Sequence, residues 1–148
     1  MAFLDTKLIL GEAQAVTGAV GTTDSTNTID LGPASDADGS AATNEYGDAG
    51  RLWFNAKVDT LFTGASSAAT VKVALYSGPT VGGMSAVSGA ASAAVAVGSL
   101  IAGYSLLRMP LPVTLNRWVK AVFTKAGATV TAGKITTWIG MDHETHPR

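Results

Sequence analysis

Three stretches of the chain alternate apolar and polar side chains with a period of two, and no window shows a helix with caps at its ends. In residues 51–58, Leu52, Phe54, Ala56 and Val58 take one face, while Arg51, Asn55 and Lys57 take the other with Trp53. In residues 71–77, Val71, Val73 and Leu75 share a face, and the run stops at Gly78-Pro79, a turn signal. In residues 117–124, Val119, Ala121 and Phe123 do the same. Successive side chains of a strand point to opposite sides of the sheet, so this spacing predicts half-buried strands. Val130-Thr131 and residues 134–139 add β-branched and aromatic runs, which suit a pleated surface. They flank Ala132-Gly133, which reads as a tight turn.

Weaker strand candidates are residues 7–10, 13–17, 27–31, 94–101 and 104–109. The last ends at Pro110-Leu111-Pro112, where proline cannot supply ladder donors. The Ala-rich segment 86–96 contains helix formers, but Ser88-Gly89, Ser92 and the alternation of Ala and Val over 93–97 weigh against a helix. About eight short strands separated by Gly, Pro and Ser predict an all-β fold, a single-domain jelly-roll-like β-sandwich of antiparallel strands with long loops. No linker, repeat or charge block divides the 148 residues, so one domain spans 1–148. It carries a short N-terminal arm (1–10), an acidic surface loop (32–50) and an exposed C-terminal tail (142–148).

Composition narrows the function. Ala, Gly, Ser and Thr make up 71 of the 148 residues, so the 47% apolar content is inflated by alanine and large core residues are sparse. Only 14% of residues are charged, against roughly 25% in an average domain. A net charge of −1 argues against a nucleic-acid binder, which needs a basic stripe to displace counterions. There is no cysteine, hence no disulfide, thiolate nucleophile or Cys zinc site. Met1-Ala2-Phe3-Leu4-Asp5 lacks the basic and apolar regions of a signal peptide, which predicts a protein used without export. No charge falls between Lys72 and Arg108, but this stretch is rich in small residues and holds Pro79; strand and loop, not a membrane span, are expected there.

Candidate chemistry is thin. The two histidines lie in Asp142-His143-Glu144-Thr145-His146, without the helical two-His spacing of a zinc protease; a solvated tail is expected. Asp36, Asp38, Glu45 and Asp48 could offer oxygens to Ca²⁺, yet Gly39 and Glu45 are out of EF-hand order, so an acidic surface loop is expected instead. Gly127 to Gly133-Lys134 echoes a phosphate loop with one residue too many, and Ile135 stands where Ser or Thr would bind Mg²⁺. No histidine lies in the body of the chain to activate a Ser or Thr. The expectation is a non-enzyme with no catalytic residues, cofactor or metal.

Charge is unevenly spread. Residues 24–59 hold seven acids and two bases, whereas residues 60–141 hold six bases and no acid. Either neighbouring strands mix these charges, or an acidic and a basic zone face a partner or a second copy. Trp53, Trp118 and Trp138 all sit in strands, and at least Trp53 and Trp118 are expected to point off the core face. They suit partial burial under a loop, or equally an anchor in a protein interface or a sugar-stacking platform.

The opening is the most specific part of the sequence. Leu4-Asp5-Thr6-Lys7-Leu8-Ile9-Leu10 is followed by Glu12-Ala13-Gln14-Ala15-Val16-Thr17, a Ser/Thr-rich spacer, and Ser25-Thr26-Asn27-Thr28-Ile29-Asp30-Leu31-Gly32. This resembles the Bbp16-type capsid cement, or decoration, proteins of tailed bacteriophages. Thr131-Ala132-Gly133-Lys134-Ile135-Thr136 fits that family's final hairpin. The close likeness covers the first 32 residues and about the last 30. The resemblance implies a jelly-roll structural protein of the virion, assembled in the bacterial cytoplasm. It would sit as a homodimer on the outer surface of the capsid, where it clamps copies of the major capsid protein and stabilises the expanded head. It implies no catalytic residue, cofactor, nucleic acid or membrane. Candidate contacts with the shell or a sister subunit are Phe3, Leu4, Lys7 and Leu8 of the arm, together with Trp53. Strand-edge addition and apolar anchors could both supply such an interface. The alternative function is a jelly-roll carbohydrate- or receptor-binding module of a virion; a hydrolase lacks its His/Asp constellation.

Overall fold

The computed structural model describes residues 8–32, 52–112 and 115–141. The strands are β1 (Ile9–Ala15), β2 (Gly21–Asp24), β3 (Ile29–Asp30), β4 (Leu52–Gly64), β5 (Thr70–Gly78), β6 (Ser85–Ala91), β7 (Val95–Ala96), β8 (Ser105–Pro110), β9 (Trp118–Ala126) and β10 (Val130–Met141). A 3-10 turn, Val97–Ser99, follows β7. The strands form two sheets in which every pairing is antiparallel. The first has the order β1-β10-β4-β8 and the second β2-β9-β5-β6. β3 continues the β2 position beside β9, and β7 continues the β6 position beside β5. Ten strands thus fill eight positions in two sheets of four, wound as a jelly roll.

The alternation seen in the sequence decides which side chains fill the space between the sheets. Phe54, Ala56 and Val58 of β4, Val71, Val73 and Leu75 of β5, and Val119, Ala121 and Phe123 of β9 are all buried. They form one continuous cluster with Leu10, Phe62, Leu100, Ile135 and Ile139. Stacked sheets of this kind interdigitate their inner faces, and the three phenylalanines Phe54, Phe62 and Phe123 are the bulkiest fully enclosed residues. Around Trp138 the first sheet is dry on its second face too. Trp138, Ile9 and Asn55 occupy one cross-strand row and are all buried, Asn55 against the expectation that it lies on a solvated face.

Ala132-Gly133 is not a turn. β10 runs through it unbroken, and its register against β4 shifts between Val130 and Ala132, between Ala132 and Lys134, and between Lys134 and Ile135. Gly133 has φ +139°, and a Cβ there would overlap the ring of Phe62. The glycine therefore marks a bulge that lets the strand pass over an aromatic ring, one of the two meanings a strand glycine has. The true turn is at residues 127–129, where Gly127 has φ +78° and lies against the Ala68 carbonyl. It leads from the second sheet to the first, so the expected final hairpin is absent.

Residues 7–10 and 13–17 likewise merge, from Ile9 onward, into one strand, β1, with register shifts between Ile9 and Gly11 and between Gly11 and Gln14. Ala13 takes φ +42° in this distorted stretch, and its N–H donates to Thr136 Oγ1 at 2.9 Å. The uncharged stretch between Lys72 and Arg108 is strand and loop as expected.

Candidate interaction surface

Of the five residues expected at an interface, Phe3, Leu4 and Lys7 lie outside the described residues. So do the acidic residues Asp36, Asp38, Glu45 and Asp48 and the tail from Asp142 to Arg148. Leu8 is half-buried and packs against the core. Trp53 is half-buried on the outer side of the first sheet, opposite Gly140 and Pro110 in register. The Arg108 guanidinium lies 5.3 Å from its ring centroid. A planar cation over an indole face is attracted by the ring quadrupole.

A second cation–aromatic cluster, absent from the sequence-based expectations, lies on the outer side of the second sheet. Arg117 stacks 5.2 Å above Trp118 and forms a two-pronged ion pair with Asp30. Its Nε donates to Asp30 Oδ1 and its Nη2 to Oδ2, each at 2.7 Å. Nearby, Lys120 Nζ donates to Asp24 Oδ2 at 2.6 Å. β2 and β3 carry the acids, β9 carries Lys120 and Arg117 immediately precedes it, and both short strands pair with β9. The uneven charge map is thus partly neutralised within the chain, which is the mixing of charges by neighbouring strands. The partners are 87 and 96 residues apart, so no local spacing could reveal them.

The Arg117 guanidinium, then the Gly32 N–H, hold the Asp30 carboxyl below the ordinary carboxylate range. A depressed folded-state value means that the stabilisation is present above the unfolded value and is lost as pH falls through the folded one. An NMR titration of the Asp30 carboxyl is expected to show it ionised well into acid, and Arg117→Gln is expected to return it toward the ordinary value. An unchanged titration in the variant would remove the ion pair as the cause.

Sheet edges are the usual route by which strands recruit another chain. Each of them is interrupted here. β1 is bulged twice. β2 and β3 are four and two residues long. β6 has a break in register between its pairs with Ala74 and Tyr76, and Gly89 within it has φ +76°. β8 carries Arg108 and ends at Pro110. Among the described residues, association by strand addition is therefore blunted, and contacts fall to side chains and loops.

A cleft of about 280 Å³ beside β6 is lined by Ser77, Ser85, Val87, Ser88 and Asn116 among others. Ser77 Oγ is already committed, accepting the Asn116 N–H at 2.8 Å. No titratable side chain lines it, so it offers no acid, base or metal ligand. Among the described residues, no group of three or more His, Asp or Glu side chains is placed to hold a metal.

The fold is an antiparallel jelly-roll sandwich. The Bbp16 family model matches residues 10–139, and the chain belongs to that family. It is a phage-associated family, and membership points to a phage structural protein. A search of the curated proteins finds no match.

Proposed function

We propose that the protein is a capsid cement, or decoration, protein that binds the outside of the major capsid protein lattice and stabilises the expanded head. The observation that carries this reading is the family match over residues 10–139, nearly the whole jelly roll. The physics is compatible. Packed DNA pushes capsomers apart, and a small sandwich opposes this by burying surface across their boundary. Standard interfaces bury on the order of 1,600 Å². Its partners are shell subunits and, as the family likeness implies, a second copy; its place is the outer surface of the virion, reached by assembly in the bacterial cytoplasm. It acts without enzymatic activity or cofactor.

Sugar recognition, the other common use of jelly rolls with tryptophans, draws less support. Trp53 and Trp118 are stacked on by arginines, and Trp138 is buried. None of the three presents an open stacking platform.

Co-sedimentation with expanded heads lacking the protein tests the cement reading. Saturable binding to expanded heads is expected, with cryo-electron microscopy density between capsomers in the mature particle. Absence from the virion ends the reading.

A further inference from the structure

β1 and β2 are edge strands, one in each sheet. A strand at an edge presents backbone groups to which a strand of another molecule can add. The short segment between β2 and β3, residues 25–28, reaches from the second sheet to the edge of the first and is bonded to both.

Ser25 releases this segment from the second sheet. Its N–H donates to the Ala121 carbonyl at 2.8 Å, as a strand residue does. The return bond is different, because the Ala121 N–H donates to Ser25 Oγ at 3.0 Å. The buried hydroxyl stands in for a carbonyl, so β9 stays satisfied while the backbone turns away. The same hydroxyl donates to the Asn27 carbonyl at 2.8 Å, which folds the segment into a turn.

Asn27 and Gln14 fasten the segment to the first sheet. The Asn27 N–H donates to the Leu10 carbonyl at 2.8 Å, and Asn27 Nδ2 donates to the Ile9 carbonyl at 3.2 Å. One residue thus takes two acceptors of the edge strand. Further along β1, the Gln14 amide bonds the segment as a neighbouring strand would. Its Nε2 donates to the Asp24 carbonyl at 2.7 Å, and its Oε1 accepts the Thr26 N–H at 2.9 Å. A Cβ at Gly11 would overlap Gln14 Oε1, so the amide needs a glycine there to fold back. β1 gains from this support, since its register against β10 shifts twice and the Ala13 N–H goes to the Thr136 hydroxyl in place of a carbonyl. Gln14, Ser25 and Asn27 all lie in the two stretches that carry the family resemblance.

We propose that residues 25–27, clamped by Gln14, are a built-in guard of the β1 edge. They occupy from within the chain the acceptors to which a strand of a second copy would add, and they hold β1 on the sandwich. Two copies with the guard lifted present the same open edge to each other, and a two-fold antiparallel pair of β1 strands satisfies both. The inference is independent of the cement reading.

Amide hydrogen exchange followed by NMR, together with sedimentation velocity, tests this on the full chain. The variants are Gln14→Leu, Asn27→Ala and the two combined, with Thr22→Ala, an exposed change on β2, as control. In the double variant the amides of Thr26, Asn27 and β1 are expected to exchange about tenfold faster or more, which is what the loss of a hydrogen bond or two amounts to. Amides of β4, β5 and β9 keep their wild-type rates. The double variant also associates beyond the wild-type state as its concentration rises, and Thr22→Ala does not. If the double variant fails to fold, the single variants carry the same comparison. Gln14→Glu then adds a finer one: it keeps the acceptor for the Thr26 N–H and loses the donor to the Asp24 carbonyl, so Thr26 stays protected while β1 loosens. Wild-type exchange throughout β1 overturns the proposal. Faster exchange in β1 without added association also overturns it, because residues 25–27 are then a brace and not a guard.

Discussion

Gly133→Ala lowers the free energy of unfolding by about 3 kcal/mol, and Gly133→Val by more. Two costs combine. The backbone at φ +139° is one that side chains other than glycine rarely adopt, and the added methyl group meets the ring of Phe62. A double-mutant cycle separates them. Phe62→Ala by itself costs about 3–5 kcal/mol, because a fully buried ring leaves a cavity. In that background the methyl of Gly133→Ala enters the vacated space, so its cost falls by about 1–2 kcal/mol. Urea unfolding of the four proteins measures the cycle. Costs that simply add, within about 0.5 kcal/mol, would show that the ring is not the obstacle.

The same glycine shows where sequence reading works and where it stops. Alternation is a local property, so the inward residues of β4, β5 and β9 could be named from the sequence, and Phe54, Val73, Leu75, Val119 and Phe123 are indeed enclosed. Ala132-Gly133 between two β-rich runs carries the same local signal whether the chain reverses or bulges. What separates the two is Phe62, 71 positions away on the neighbouring strand, and no local pattern encodes it. Asn55 is misjudged for a related reason: its polarity places it on a solvated face, whereas the row of Trp138 and Ile9 beside it is dry.

The candidate surface divides along the same line. Trp53 could be singled out from its phase in β4, but its partner Arg108 comes from β8, 55 positions on. The excess of acids before residue 60 and of bases after it was visible as composition. Its resolution into the Asp30–Arg117 and Asp24–Lys120 pairs depends on β2 and β3 both lying beside β9.

On the cement reading, the shell-bound protein melts well above the free one. A partner that binds the folded chain and not the unfolded one stabilises it by about 4 kcal/mol at a thousand times the dissociation constant. For a domain of this size that corresponds to about 8–16 °C. With 71 of 148 residues small, the enclosed core is built on three phenylalanines and a set of Leu, Ile and Val. Calorimetry of heads saturated with the protein, beside heads and protein alone, measures the shift. Coincident melting at proven saturation would mean that the contact does not distinguish folded from unfolded chain, which no clamp can tolerate.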